Sequence, residues 1–424
     1  MGNPISVTEL YPSQDLKEQR ERYRKAIDSY REYFGGIGDG YRIFSAPGRT
    51  EVGGNHTDHN HGKVLAASVN LDVIAIVEPI DVPKIALKSE GYEESIIEIE
   101  DMEVKEHEKN TSEALIRGVV AGFRKHGYSG GGFKAYTTTN VLKGSGLSSS
   151  AAFEVLVGNI LNHLYNGGGI GAIKIAQIAQ YAENVYFGKP SGLMDQMASS
   201  VGGFVAIDFK DVESPIIEKI DSDFSSYGHA LCIVDTKGSH ADLTHEYAAI
   251  PGEMRQVAEH FSVQYLRQIC REDIMLNMDI LRDEFGDRAV LRCLHFFEEN
   301  ERVDRLSYAL KSNEFQAFLD SIKESGNSSY KYLQNIFSVS DIKNQGLGIG
   351  LNAAERVLGR KGACRVHGGG FAGTIQAFVP LDLLKEFKMD METLFGGGSC
   401  YVLTIRKHGG VEVDKESLAE PEEE

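Results

Sequence analysis

The feature that most restricts this chain is a glycine- and serine-rich turn, GSGLSSSA at 144–151. It lies between a run of strand composition ending in Thr137, Thr138 and Thr139 and a strongly apolar run at about 150–165. A strand that breaks into such a turn and then into a helix makes a cradle for phosphate. Glycines admit close backbone approach and let several N–H groups point outward together, and the helix that follows adds its positive end. The hydroxyls of Ser148, Ser149 and Ser150 can bind phosphate or a magnesium ion. Taken alone, the stretch favours a plainer reading, a flexible linker or an N-cap formed by Ser150. No Gly-Lys-Ser/Thr closes it, so it is not a Walker A loop, and G-x-S-x-G does not fit, so it is not a nucleophile elbow.

The rest of the pattern places this turn in a layered α+β protein. Tyr23, Ala26, Ile27, Tyr30 and Phe34 fall at helical spacing, which predicts an amphipathic helix over 16–34. A strand is expected at 41–46, leading into a Gly- and His-rich loop at 53–62, and a strand pair at 63–79. Short strands at 84–88 and 95–100, a helix at 111–126, a strand at 131–139 and helices at 150–165 and 172–187 follow. Strands at 203–208 and 229–235 precede a mainly helical stretch to about 360, and runs at 374–379 and 400–406 close the pattern as strands. Strands and helices mix without strict βαβ alternation, which argues for α+β layers over a doubly wound sheet. A chain of 424 residues suits two domains sharing a cleft, with the boundary expected near 210.

The formal charge of −18 excludes a general affinity for nucleic acid or anionic membranes. A nucleotide-binding protein this acidic needs a local cation, and Arg49, just after Pro47-Gly48 at a strand end, is placed to supply one. Five scattered cysteines without a CxxC argue against a disulfide framework and for a reducing cytoplasm. No signal peptide or membrane span is expected. Glu183 and Asp195 flank a break at Pro190 and Gly192, so they sit on different elements and can close on a metal–phosphate; spacing alone leaves them as two ordinary surface acids. His56, Asp58, His59 and His61 offer a rival metal site, though no H-E-x-x-H spacing supports it.

Three segments in order, SAPGRTEVGGNHTDHNHGKVLA, LKGSGLSSSAAFEV and RVHGGGFAGTIQAFV at 365–379, resemble the motifs of the GHMP small-molecule kinases, and the galactokinase family in particular. The resemblance runs from about residue 40 to about 406. It implies a first domain, 1–210, like ribosomal protein S5 domain 2, carrying the sugar loop and the ATP phosphate loop. A ferredoxin-like second domain, 211–424, would carry the third motif and an acidic tail. It also implies a kinase using ATP and Mg²⁺ on the C1 hydroxyl of galactose. Asp195 and Arg49 match the catalytic pair, and Glu183 and Ser150 the magnesium ligands, with Ser149 as an alternative. His56, Asp58, Gly192 and Tyr247 match sugar contacts, with Asn55 at the C6 end. Gly144, Ser145, Gly146, Leu147, Ser148, Ser149 and Ser150 match the nucleotide loop, over which Gly368, Gly369, Gly370 and Gly373 close. The implied partners are a small-molecule sugar and ATP, with no nucleic acid and no membrane, and the implied state is a cytoplasmic monomer, with a weak dimer as the alternative.

The chain departs from the family pattern at Glu51, Asn55 and His59, where galactokinases carry Asn, Glu and Tyr. The Trp-Ala-Asn-Tyr segment is absent, which leaves the adenine contacts unassigned. Replacing Glu with Asn at 55 removes a charge facing the C6 end, and His56 or His59 could add a positive one. That makes galacturonate an alternative substrate, and Asn55→Glu is expected to keep activity on galactose. A non-catalytic sugar sensor is the alternative of another class.

Overall fold

The computed structural model describes residues 3–142, 146–238 and 243–419. Strands β1 (Arg42–Gly53), β2 (Lys63–Ile80), β3 (Lys84–Ser89), β4 (Glu94–Glu98), β5 (Gly132–Thr139), β6 (Phe204–Asp208) and β7 (Ile216–Ile220) build the first sheet. Strands β8 (His229–Asp235), β9 (Ala363–His367), β10 (Thr374–Pro380) and β11 (Cys400–Leu403) form the second, and β12 (Val411–Val413) returns to the edge of the first. The first sheet runs β12-β1-β2-β5-β3-β4, with β6 on β2 and β7 on β6, and the second runs β11-β8-β10-β9. Pairing is antiparallel except between β3 and β5. A division at residue 210 falls between β6 and β7, two neighbours in one sheet.

The expected strand pair at 63–79 is one 18-residue strand. Its first part pairs with β6 and its last part with β5, while β1 covers the other side. The polar residues Asn70 and Asp72 lie in the middle of β2. Both are buried here, Asn70 by backbone bonds with Thr404 and Asp72 by ion pairs. Strand β1 outruns its expected end at 46 because its register shifts between Pro47 and Arg49. A bulge accommodates a proline that donates no ladder bond and re-aims the next side chain. Arg49 is that side chain.

Asp72 is the centre of a buried polar cluster. Arg22 Nη1 lies 2.7 Å from one carboxylate oxygen and Arg406 Nη1 2.9 Å from the other, and the hydroxyls of Tyr11 and Ser45 donate to the same carboxylate. The cluster ties the N-terminal helix Leu16–Phe34, the first sheet and the segment after β11 together. One apolar core spans both sheets: Phe44, Leu65 and Ile160 are continuous with Leu231, Ile233 and Phe378, and with Val303, Leu306 and Phe318 of two helices between β8 and β9.

Candidate functional site

The site lies along the seam between the sheets. Buried polar bonds fix that seam: Arg365 donates to Val52 O at 2.8 Å and pairs with Glu51 at 3.0 Å, and Gln376 Nε2 reaches Glu51 O at 3.2 Å.

The phosphate turn enters the helix Ser149–Tyr165 with Ser148 as N-cap, in the left-handed region at φ 54°. Ser148 makes no side-chain cap bond, and its hydroxyl donates to Asp195 instead. The first helical N–H groups are therefore left for a ligand. Gly144 and Ser145 lie outside the described residues. Gly48 is required next to the turn, because a Cβ there would lie 2.9 Å from Leu147 O. That carbonyl accepts from Arg49 N at 3.0 Å, which joins β1 to the turn.

Arg49 grips Asp195 in two parallel bonds, Nε to Oδ1 at 2.6 Å and Nη2 to Oδ2 at 2.7 Å, and also donates to Ser148 Oγ at 3.0 Å and to Gly146 O. Asp195 sits in the first turn of the helix Met194–Val201. Burial opposes its ionisation, but the Arg49 charge and the hydrogen bonds from Arg49 and Ser148 outweigh burial and hold the carboxyl below the usual range.

Glu183 lies on a π-helical stretch, Ala182–Phe187, that continues the helix Ala172–Tyr181; such widened turns recur at functional sites. Its carboxylate accepts from Ser150 Oγ at 3.3 Å, Lys189 Nζ at 2.9 Å, Ser191 Oγ at 2.6 Å and Gln196 Nε2 at 2.8 Å. Gln196 also donates to Glu154 at 3.0 Å. Burial, then the neighbouring Glu183, pushes the Glu154 carboxyl far up. Sequence reasoning missed Lys189, Ser191, Gln196 and Glu154. Glu154 carries one available signal, an acid one helical turn from Ser150 in an otherwise apolar run.

On the other side of the cleft, Gly192 lies against Asp58: a Cβ there would lie 2.8 Å from Asp58 Oδ2. His56 Nε2 donates to Gly369 O at 2.9 Å, and Tyr247, on the helix Thr244–His260, donates to Gly370 O at 2.9 Å. Gly373 faces elsewhere, its carbonyl accepting from Thr236. Burial, with His59 beside it, lowers the His56 imidazole to about 3, and burial lowers His59 as well. Both rings are neutral at pH 7, which corrects the expectation that they supply positive charge. The bonds then run one way: Asn60 Nδ2 to His59 Nδ1, His59 Nε2 to His56 Nδ1, and His56 Nε2 to Gly369 O. The rival histidine metal site is not formed; among the described residues no group of three or more metal-ligating His, Cys, Asp or Glu side chains is found.

Asn55 also departs from expectation. It is 1% exposed and its amide is fully engaged. Nδ2 donates to Glu51 Oε1 at 3.0 Å and Gly368 O at 2.7 Å, and Oδ1 accepts from Asn335 Nδ2 at 2.8 Å and Ser329 Oγ at 3.3 Å. The carboxyl absent from position 55 stands at Glu51 beside it. Burial pushes that carboxyl up, and Arg365 offsets this only in part. The argument for a C6 carboxylate on the substrate therefore loses both its supports, a relieved negative charge and a positive histidine. Asn55→Glu sets a second acid against Glu51. Two ionised carboxylates about 4 Å apart repel by about 4 kcal/mol at an effective dielectric of 20. The variant is expected to lose about 2–4 kcal/mol of stability at pH 7, and the deficit should shrink near pH 5 as one carboxyl takes up a proton. Urea unfolding at both pH values checks this; wild-type stability at pH 7 would refute the buried pairing.

Comparison with known proteins fits this geometry. Residues 28–79 match the galactokinase galactose-binding signature, and residues 114–203 match the GHMP kinases N terminal domain. The chain is 30% identical over 350 residues to a galactokinase of Streptomyces coelicolor, covering 82% of this chain and 86% of that one. The fold superposes on Lactococcus lactis galactokinase, crystallised with galactose, with a TM-score of 0.76 at 22% identity, covering 92% of this chain and 99% of that one. Methanococcus jannaschii mevalonate kinase gives a TM-score of 0.62 at 15% identity, covering 87% of this chain and 99% of that one.

Proposed function

This chain belongs to the galactokinase family of GHMP kinases, and we propose that its cleft transfers the γ-phosphoryl group of ATP to the C1 hydroxyl of galactose. The observation that carries the reading is the bidentate Arg49–Asp195 pair set against a helix N-terminus whose cap, Ser148, bonds to the same carboxylate. Phosphoryl transfer asks for positioning and electrostatics more than for covalent chemistry. Asp195, kept ionised by Arg49, accepts a hydrogen bond from the attacking hydroxyl and takes its proton as the phosphorus–oxygen bond forms. Because Arg49 weakens it as a base, its first contribution is to orient the hydroxyl. Arg49 in turn offsets charge growing on the transferred group. His56, Asp58, Gly192 and Tyr247 surround the sugar, and Gly146 to Ser150 hold the phosphates.

Glu183 and Ser150 fit a magnesium ion. Both are hard oxygen donors 3.3 Å apart, and a nucleotide-bound Mg²⁺ needs only one or two protein oxygens beside its phosphates and waters. When bound, the ion neutralises charge on the β- and γ-phosphates. Lys189, paired with Glu183 at 2.9 Å, would share that carboxylate with the ion. Glu183→Gln is expected to raise the Mg²⁺ requirement at least about tenfold, since even outer-shell changes cost 10–100-fold in metal affinity. Titration of Mg²⁺ at fixed ATP checks this, and an unchanged requirement removes Glu183 as a ligand.

We place the enzyme in the cytoplasm as a monomer. All five cysteines are free, no described helix is long and apolar enough to cross a membrane, and one chain supplies every residue of the site. A panel of sugars with ATP, scored by ADP release, tests the function. No release with galactose refutes it.

A further inference from the structure

Three consecutive carbonyls of the third glycine motif are each taken by a side chain from elsewhere in the chain. Gly368 O accepts from Asn55, Gly369 O from His56 at 2.9 Å and from Asn335 Nδ2 at 3.1 Å, and Gly370 O from Tyr247. A trans peptide points its C=O and N–H in opposite directions. Fixing the Gly368 and Gly369 carbonyls therefore fixes the N–H groups of Gly369 and Gly370 on the opposite side. Neither N–H has a hydrogen-bond partner among the described residues. Gly369 itself lies between the Tyr247 ring and His56, since a Cβ on it would be 2.7 Å from the ring and 3.8 Å from His56 Nε2.

Asn335 joins these contacts. It is fully buried, and its Nδ2 reaches both Gly369 O and Asn55 Oδ1, so a single amide sets the loop and the side chain at 55 together. Its backbone carbonyl accepts from Phe371 N at 2.5 Å and lies 2.1 Å from where a Cβ on Gly370 would be. Its Oδ1 is buried without a partner. That leaves a polar atom unpaired in order to aim Nδ2 at two acceptors, and the reverse orientation would set oxygen against oxygen at both.

We infer that Asn335 is a positioning residue for the acceptor sugar: it holds the glycine loop whose carbonyls fix His56 and Tyr247, and with them the sugar-side groups of the cleft. The inference rests on the galactose kinase reading above. Asn335→Asp keeps the shape but loses both donated bonds and sets a carboxylate against two carbonyl-type oxygens. The KM for galactose is expected to rise at least about tenfold, with the KM for ATP within about twofold and kcat changed less than the galactose KM. Steady-state kinetics with each substrate varied, galactose titration by calorimetry and a thermal melt measure this. If Asn335→Asp does not fold, Asn335→Ser, whose hydroxyl cannot span both acceptors, is read the same way. An active wild type and a variant with unchanged galactose KM overturn the inference alone, as does a rise in ATP KM instead, or a lowered melting temperature with both KM values intact. A wild type that neither binds nor phosphorylates galactose removes the parent reading and this inference with it.

Discussion

Alanine at Asp195 is expected to lower turnover by about 10²–10⁴-fold, the usual contribution of a positioned general base, while the protein stays folded. The fold should survive because Asp195 lies at the rim of the core, 24% exposed, and Arg49 keeps its bonds to Gly146 O and Ser148 Oγ. ATP binding should change far less than turnover, since the phosphate turn and Glu183 are untouched. The pH dependence carries a second reading of the same pair. Arg49 holds the Asp195 carboxyl below its ordinary range, so the acid limb of kcat/KM should fall below the ordinary Asp pKa of about 3.9. Removing the cation in Arg49→Ala should move that limb upward as burial takes over. The measurements are kcat and KM for both substrates, the pH profile and a thermal melt. Turnover within a few-fold of wild type in Asp195→Ala would take the residue out of the mechanism.

The largest loss of stability is expected from Asp72→Ala, about 3–5 kcal/mol, because it leaves the buried guanidinium groups of Arg22 and Arg406 without their shared carboxylate. Burial works against the charge on Asp72, but Arg22 and Arg406, with the hydroxyls of Ser45 and Tyr11, outweigh it and hold the carboxyl below the usual range. A depressed pKa fixes the sign of the pH dependence. The stabilisation is fully present above the unfolded value of about 3.9 and fades as pH falls through the folded value. The wild type should therefore lose this contribution in acid, and the gap between wild type and Asp72→Ala should narrow there. Urea unfolding from pH 7 downward checks this. A loss under about 1 kcal/mol at pH 7 would mean that the cluster does not anchor the N-terminal helix and the C-terminal segment to the first sheet.

Local pattern alone reaches far into this protein. The apolar spacing of Tyr23, Ala26, Ile27, Tyr30 and Phe34 sets the helix Leu16–Phe34, because a helical face buried on one side leaves a 3.6-residue period in the chain. The strand, glycine–serine turn and helix around 132–165 are legible for the same reason, as is the break between Glu183 and Asp195; Arg49 lies not at a strand end but inside β1, at a bulge that only the paired sheet shows. Those residue types and the punctuation between them are local. The unity of β2 was not legible, because the partners that bury its polar residues Asn70 and Asp72, namely Arg22, Thr404 and Arg406, lie far along the chain. Strand β12 is three residues long, too short to print a period. The neutrality of His56 and His59 was likewise invisible, since a ring's charge depends on how much water the packed fold leaves it. The partnership of Asn55 with Asn335 spans 280 positions, and nothing in either segment announces the other. Sequence fixes which groups are available and the local geometry they favour. Topology decides which of them meet, and burial decides what charge and which hydrogen bonds they keep when they do.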